Sequence, residues 1–287
     1  MIQGIDPSTL KNFIINALEE DVQDGDHTSL ACIPIEQSTY AQLLVKDIGI
    51  LAGVAFAKEV FNQVDPNHEF IPLIEDGSYI QNKDIAFKVR ANSQALLKGE
   101  RLILNTMQRL SGIATKSYRF STEVEGMPVT ILDTRKTTPL MRFLEKWAVR
   151  LGGCTNYRDG LYDRIMIKDN HIDACGGIQE AILAVNKYLK DKKKDLEITV
   201  EVRNLVELYK VLEVGQVNRI MLDNFEIALL AEAVAAIDDK FESEASGGVT
   251  LNSVRKIART GVQYISSGAL THSAGSLDLS LKVIKES

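Results

Sequence analysis

The amino-acid sequence predicts an α/β barrel with a small α+β region in front of it. From residue 129 onward, short apolar runs alternate with amphipathic, helix-like segments, which is the pattern of successive parallel βαβ units. Six strand-like runs follow one another, namely VTILD, RIMIKD, EITVEV, RIMLDN, SGGVTL and QYISSG. Six such units in a row favour a barrel over two packed sheets. An open doubly wound sheet is the structural alternative.

The region before the barrel mixes helices and short strands. Apolar residues recur on one face over 7–20, so we expect a helix there, with Ser8 as its cap. Strand-like runs over 41–98, interrupted by one helical segment, predict a small sheet. Residues 100–126 read as a helix, or as a helix pair with a break near Gly112.

Composition excludes several classes of protein. The 287-residue chain is 45% hydrophobic and 25% charged, and its formal net charge of −6 gives no general attraction to nucleic acid or to anionic membranes. No apolar run approaches the length of a membrane span, and the first residues do not resemble a signal peptide. The three cysteines are odd in number and widely spaced, which argues against a disulfide framework. We therefore expect a cytoplasmic protein that binds neither nucleic acid nor a membrane.

Polar residues or glycines lie at the end of each predicted strand, where catalytic groups collect in α/β barrels. The segment from 133 to 171 holds eight Lys or Arg but five Asp or Glu, although the whole chain is acidic. Arg135, Lys136, Arg158 and Lys168 could converge on a multiply anionic ligand, because arginine binds carboxylate and phosphate groups bidentately. The alternative for each of them is a solvated loop charge paired with a neighbouring aspartate.

Two acidic residues and two glycine loops extend this pattern. Glu201 and Asp223 on adjacent strands suggest Mg²⁺ or hydrogen bonds to sugar hydroxyls, unless they form structural ion pairs. Short glycine loops on the last two strands could bind a phosphate through backbone N–H groups, although single loops of this kind are usually only turns. The residues concerned are Ser246, Gly247, Gly248, Ser267 and Gly268, with His272 close behind them.

Several familiar motifs are absent, including the nucleoside-triphosphate loop G-x-x-x-x-G-K-[ST] and the dinucleotide fingerprint G-x-G-x-x-G. The motifs that are present closely resemble those of quinolinate phosphoribosyltransferase, and the resemblance covers essentially the whole chain. They are GERLILNTMQRLSGIAT, DTRKTTP, KWAVRLGG followed by NYR, IKDNHI, LDNF, SGG and SSGALTHS.

The resemblance implies a small N-terminal α/β sandwich over 1–112 and an incomplete, TIM-like α/β barrel over 113–272. It also implies a C-terminal helix over 273–287 that packs back on the N-terminal domain, and a homodimer. The implied substrates are quinolinate and phosphoribosyl pyrophosphate (PRPP), with Mg²⁺ bound through PRPP. The implied products are nicotinate mononucleotide, carbon dioxide and pyrophosphate, in de novo NAD synthesis.

The resemblance also assigns roles to individual residues. Lys136, Lys168, Glu201 and Asp223 would be catalytic. Arg135, Arg158 and Lys168 would hold the quinolinate carboxylates, and Arg101 would reach the site of the neighbouring subunit. Lys136 would contact pyrophosphate, while Glu201 and Asp223 would lie near the ribose hydroxyls and Mg²⁺ without ligating the metal directly. The remaining expected substrate contacts are Thr134, Tyr157, Ser246, Gly247, Gly248, Ser267, Gly268 and His272.

One position departs from the family pattern. The family usually reads Asn-His-Arg where this chain has Asn156, Tyr157 and Arg158. A tyrosine can still donate a hydrogen bond, but it cannot carry a positive charge near neutral pH. This departure keeps open a relative that uses nicotinate or another base. Two further alternatives are a Schiff-base aldolase with Lys168 as nucleophile and a non-catalytic phosphometabolite sensor.

Overall fold

The computed structural model describes residues 2–284. Helices and short strands alternate irregularly in the first part of the chain. These elements are α1 (Pro7–Val22), α2 (His27–Cys32), β1 (Ser38–Val45), β2 (Gly49–Ile50), α3 (Val54–Val64), β3 (Glu69–Pro72), β4 (Tyr79–Ile80), β5 (Ile85–Asn92) and α4 (Ser93–Glu123).

Strands and helices alternate regularly in the second part. These elements are β6 (Thr130–Leu132), α5 (Arg142–Leu151), β7 (Ile165–Ile167), α6 (Asp169–Cys175), α7 (Ile178–Lys192), β8 (Ile198–Val202), α8 (Leu205–Val214), β9 (Arg219–Asp223), α9 (Ile227–Ile237), β10 (Glu242–Ser246), α10 (Leu251–Ala258), β11 (Tyr264–Ser266), α11 (Ala269–His272) and β12 (Leu279–Ile284).

The chain forms two compact units whose boundaries differ from the predicted 112/113 division. The first unit contains residues up to Tyr118, residues 138–153 and the segment from Ser273 onward; the second contains 119–137 and 154–272. Helix α5 belongs to the first unit because its apolar face completes that core. There the ring of Phe143 meets the ring of Phe13 edge to face, with centroids 5.8 Å apart.

The first unit is built on a four-stranded sheet in the order β12-β1-β5-β3. Alternate residues of β1, Ala41, Leu43 and Val45, are fully buried, as expected of a strand with one face on a core. Helix α1 buries Leu10, Ile14 and Leu18. The predicted Ser8 cap is wrong: Asp6 is the N-cap and accepts the Thr9 backbone N–H at 2.8 Å.

The predicted C-terminal helix over 273–287 is wrong within the described residues. Residues Leu279–Ile284 form a strand that pairs antiparallel with β1, with Leu281 opposite Leu43. The physical reason is the alternation in LSLKVI, where Leu279 and Leu281 are buried and Lys282 is exposed. Residues 285–287 of the predicted helix lie outside the described residues.

Of the two alternatives for residues 100–126, the single helix is confirmed and the break near Gly112 is wrong, because α4 runs through it without interruption for 31 residues. Gly112 is instead a point of close approach. A Cβ atom at this position would lie 1.7 Å from the carbonyl oxygen of Gly275, which belongs to the same unit. The glycine therefore admits a neighbouring backbone and does not end the helix.

The second unit is an incomplete α/β barrel. Its six strands are parallel and lie in the order β6-β11-β10-β9-β8-β7, so strands from β7 to β11 are neighbours in chain order and β11 returns to β6. The ring is open between β6 and β7. The doubly wound alternative is wrong, since it requires a reversal of strand order within the sheet.

One predicted strand was misplaced. SGGVTL was expected to be a strand, but the strand is β10, Glu242–Ser246, and the glycines follow it. Glu242 and Glu244 make β10 look polar in sequence, although Glu244 is fully buried. The glycine loop consequently lies at the carboxyl end of its strand, like the polar residues of the other strands.

We predict that Gly112→Ala destabilises the first unit by about 2 kcal/mol or more, despite the better helix propensity of alanine. The added methyl group would overlap a backbone carbonyl, which cannot move as a flexible side chain can. Urea unfolding followed by circular dichroism would measure the change.

Gly275→Ala is the matched control, because a Cβ atom at Gly275 meets no atom within 4 Å. Equal unfolding free energies for the two variants would contradict the proposed close contact.

Candidate active site

The second unit carries the sequence-predicted polar residues at the carboxyl edge of its parallel sheet. Thr134, Arg135 and Lys136 follow β6, and Lys168 follows β7. Glu201 lies within β8 and Asp223 ends β9. Because parallel strands end at the same edge, these side chains belong to one region of the unit. The other residues at this edge are Ser246, which ends β10, Gly247 and Gly248 after it, and Ser267, Gly268 and His272 after β11.

Lys168 and Glu201 form an ion pair between the Lys168 Nζ and Glu201 Oε2 atoms. Glu201 is 8% exposed, so its carboxylate has little access to water and gains from a cationic partner. The Lys168 backbone N–H donates to His171 Nδ1 at 2.9 Å, which fixes the entry to α6. The structure therefore brings together two of the four residues expected to be catalytic.

Asp223 is held by the residue that follows it. Asn224 Nδ2 donates to Asp223 Oδ2 at 2.8 Å, and the Asn224 backbone N–H donates to the Ser246 carbonyl at 2.8 Å. Asn224 adopts a left-handed backbone (φ +57), and a Cβ at Gly247 would lie 2.3 Å from its Oδ1. Asn224 thus links the end of β9 to the glycine loop after β10, and that loop needs glycine to admit it.

Lys136 lies against the loop after β11, the strand that neighbours β6. A Cβ at Gly268 would lie 2.8 Å from Lys136 Cδ and 2.9 Å from His272 Cδ2. The Thr271 hydroxyl donates to the Lys136 carbonyl at 2.8 Å. The structure therefore brings Lys136, Gly268 and His272 together. Thr271 contributes to this arrangement and was not predicted.

The two glycine loops are themselves connected. Ser267 Oγ donates to the Val249 carbonyl at 3.2 Å, which ties the segment after β11 to the segment after β10. Gly247 and Gly248 both have positive φ values, of 91° and 58°. Successive residues with such backbones turn N–H groups toward a common point, which is how glycine loops bind anions.

Arg135 and Arg158 are partly buried and close enough to repel each other. Burial, and next the positive charge of Arg135, lower the pKa of Arg158 below its usual value. Asp163 acts in the opposite direction, but its carboxylate accepts the backbone N–H groups of Asp159 and Gly160 at 2.7 and 2.9 Å. Two adjacent guanidinium groups of this kind are suited to a ligand with more than one negative charge.

Asp133 fixes the segment that carries Arg158, and sequence reasoning missed this role. Its carboxylate is fully buried, accepts the Asn156 side-chain N–H at 2.7 Å and accepts the Tyr157 backbone N–H at 2.8 Å. The Thr155 backbone also pairs with β6 at Leu132, on its open edge. The signal in the sequence was an acidic residue directly at a strand end, ahead of a basic pair.

The Tyr157 side chain enters a polar cluster in the barrel. Its hydroxyl is 2.7 Å from Thr199 Oγ1, and the Arg219 guanidinium lies 5.0 Å from its ring centroid. Arg219 also lies 3.8 Å from the Tyr264 ring centroid and forms salt bridges at 2.8 Å to Glu242 and 3.1 Å to Glu244. Burial, followed by the negative charge of Glu244, raises the pKa of Tyr157, so the phenol stays neutral.

Arg101 does not belong to the second unit. It lies on α4 within the first unit, and its side chain is exposed. Its expected reach into a neighbouring subunit stays a prediction. Within residues 2–284 there is no group of three or more His, Cys, Asp or Glu side chains arranged to hold a metal ion. In the same part of the chain, no helix is both long and apolar enough to span a bilayer.

Comparisons with known proteins cover nearly the whole chain. Residues 26–111 match the family model of the quinolinate phosphoribosyl transferase N-terminal domain, and residues 113–282 match that of the C-terminal domain. The chain is 45% identical to tobacco (Nicotiana tabacum) quinolinate phosphoribosyltransferase [decarboxylating] 1b, over 96% of this chain and 83% of that protein. It is 41% identical to the probable nicotinate-nucleotide pyrophosphorylase [carboxylating] of Bacillus subtilis, over 96% of this chain and 93% of that protein.

Solved structures agree with the sequence comparisons. The nicotinate-nucleotide pyrophosphorylase from Francisella tularensis superimposes with a TM-score of 0.91 at 35% identity, covering 99% of both chains. The two family models, the identity to the tobacco and Bacillus subtilis proteins and the shared fold point to one assignment: the chain belongs to the quinolinate phosphoribosyltransferase family.

Proposed function

We propose that the strand-end site of the second unit binds quinolinate and PRPP and transfers the phosphoribosyl group to the pyridine nitrogen. The products are nicotinate mononucleotide, carbon dioxide and pyrophosphate, and the reaction is the phosphoribosyl transfer of de novo NAD synthesis. The observation that carries the proposal is the set of cations at one sheet edge, Arg135, Arg158 and Lys168, beside the carboxylates of Glu201 and Asp223. A dicarboxylate and a diphosphate together match that charge pattern.

Arg135 and Arg158 bind the two quinolinate carboxylates, with Lys168 nearby. Burial, and next the charge of Arg135, lower the pKa of Arg158, and an anion between the two guanidinium groups offsets their repulsion. Arginine also suits a flat dicarboxylate because each guanidinium can donate two parallel hydrogen bonds. Family membership supports this choice over nicotinate, which has a single carboxylate.

The two linked glycine loops bind the 5′-phosphate of PRPP, and Lys136 binds its pyrophosphate. The positive φ values at Gly247 and Gly248, and the Ser267 bridge between the loops, support one shared phosphate site. Ser246, Gly268 and His272 lie on the same two loops, and Thr134 precedes the arginine–lysine pair. Arg135 faces the dicarboxylate, while Lys136, whose side chain lies against Gly268, faces the pyrophosphate.

Glu201 and Asp223 orient the ribose. Glu201 is level with Met221 in the β8–β9 register, and Asp223 lies two residues farther along on the same face. Two carboxylates so placed fit a Mg²⁺ ion that is held mainly by PRPP, with the protein contacting it through water. When bound, Mg²⁺ neutralises negative charge on the departing pyrophosphate.

The reaction follows from this arrangement. The bond between ribose C1 and the pyrophosphate oxygen breaks, and its electron pair leaves with pyrophosphate, which Lys136 and Lys168 stabilise. Positive charge that develops at C1 is offset by Glu201 and Asp223. The pyridine nitrogen then bonds to C1. The cationic ring favours loss of the 2-carboxylate as carbon dioxide, and the electron pair left on C2 takes up a proton.

We also propose that the active protein is a cytoplasmic homodimer in which Arg101 completes the neighbouring site. The exposed position of Arg101 on α4 is compatible with that role. Cys32, Cys154 and Cys175 are not joined in disulfides in the described part of the chain, as is usual in a reducing compartment. Light scattering of the purified protein tests the homodimer. Quinolinate binding by an Arg101→Ala variant tests the role of Arg101.

The purified chain with quinolinate, PRPP and Mg²⁺ should release carbon dioxide and nicotinate mononucleotide in equal amounts. No carbon dioxide should form without PRPP, because decarboxylation depends on the cationic ring nitrogen. Labelled quinolinate with chromatographic detection of the nucleotide measures both products. Turnover of nicotinate, with quinolinate left untouched, would contradict the assignment of the base.

Arg135→Ala should weaken quinolinate binding by about 100-fold while PRPP binding changes little, because a bidentate, charge-assisted contact is lost. Lys136→Ala should show the opposite selectivity. Calorimetric titration of each ligand measures both effects, and Lys187→Ala, an exposed lysine on α7, is the control. Loss of PRPP binding in Arg135→Ala would mean that the two roles are reversed.

Glu201→Gln should lower kcat by about 100-fold or more with a smaller change in the KM for quinolinate, since the lost charge acts mainly on the developing positive centre. Steady-state kinetics at saturating Mg²⁺ measures this, and Glu232→Gln on the exposed face of α9 is the control. An unchanged kcat would remove Glu201 from the catalytic set.

A further inference from the structure

Tyr157 replaces the histidine that the family usually has beside the quinolinate-binding arginine, and its hydroxyl is directed into the barrel. The hydroxyl partner is Thr199 Oγ1, at 2.7 Å. Thr199 is 1% exposed and lies two residues before Glu201 on the same face of β8. At about 3.3 Å per residue, this partner is about 7 Å farther from the carboxyl edge than Glu201.

Charged groups beside the Tyr157 ring are already engaged. The guanidinium groups of Arg219 and Arg164 lie 5.0 and 5.5 Å from the ring centroid, within cation–π distance. Arg219 is in turn fixed by Glu242 and Glu244. These contacts give the ring a defined place in a paired, buried network, so its movement toward a ligand would break several interactions at once.

The backbone of Tyr157 is fixed as firmly as its side chain. Its N–H donates to the buried Asp133 carboxylate at 2.8 Å. Residue 157 is therefore held at two points. Its backbone is bonded to Asp133, directly after β6, and its side chain contacts Thr199 on β8. The next residue is Arg158, whose guanidinium must stay near Arg135 against like-charge repulsion.

We infer that Tyr157 is a positioning residue for Arg158 and that its hydroxyl does not contact the base. This inference rests on the proposed function, because it assumes that Arg158 binds a quinolinate carboxylate. It also explains how the chain tolerates an uncharged residue where the family usually has histidine. Tyr157 fixes the geometry of its neighbour through the contact of its hydroxyl with Thr199 and the hydrogen bond from its backbone N–H to Asp133, while the arginines supply the charge.

The test compares Tyr157→Phe with Thr199→Val and with the double variant. Each single change removes one side of the same hydrogen bond and nearly preserves volume. We expect each to raise the KM for quinolinate about fivefold, with the KM for PRPP unchanged. The double variant should be no worse than either single variant, because both lose the same bond. Thr199→Ser keeps the hydroxyl group and should therefore have the same KM for quinolinate as the wild-type protein.

Tyr209→Phe, on the exposed surface of α8, is the matched control, and thermal unfolding of every variant checks that the fold is intact. A Tyr157→Phe effect at least tenfold larger than that of Thr199→Val would mean that the phenol binds the base, and would overturn the inference. Additive effects, or no effect of either change, would also overturn it. Wild-type protein that does not turn over quinolinate would instead refute the proposed function, so the two failures are distinguishable.

Discussion

Like charges have to be held close together in this site, and buried carboxylates provide the means. Burial, and next the positive charge of Arg135, lower the pKa of Arg158. Asp133 accepts the Tyr157 backbone N–H and so fixes the segment that carries Arg158, and Glu201 pairs with Lys168. A site fixed in this way loses little conformational freedom when its anions bind, so more of the binding energy is available for orienting them.

The interior of the barrel differs from the usual layers of branched apolar side chains. Arg219 lies against the rings of Tyr157 and Tyr264 and is paired with two glutamates. Burial raises the pKa of Glu244, and the charge of Arg219 opposes that effect. Removing either partner would leave an uncompensated buried charge, which is far more costly than the pair itself. A substitution of one of these paired residues therefore requires a change in its partner, which limits the single substitutions that the barrel interior can accept.

Sequence patterns predicted the features that depend on hydrophobic periodicity and on the residue types at strand ends. The five strands from β6 to β9 and β11, and the placement of polar residues at their carboxyl ends, followed from alternating runs and turns. Sequence patterns did not predict features that are determined by contacts between distant parts of the chain. A break at Gly112 remained an alternative to a single helix because the contact partner of Gly112, the carbonyl of Gly275, lies far away in sequence. Strand β10 was missed because Glu244 is charged, and only its pairing with Arg219 makes its burial possible. Asn224 and Thr199 act through single hydrogen bonds that no local pattern predicts.

The pairing of β12 with β1 joins residues 38–45 and 279–284 in one sheet. Strand β1 lies between β5 and β12, so one of its edges has no backbone partners until residues 279–284 have been synthesised. All strands of the barrel unit, in contrast, precede residue 272. The first unit therefore cannot complete its sheet until the second unit has been synthesised, and until then the open edge of β1 is a site for chaperone binding and aggregation.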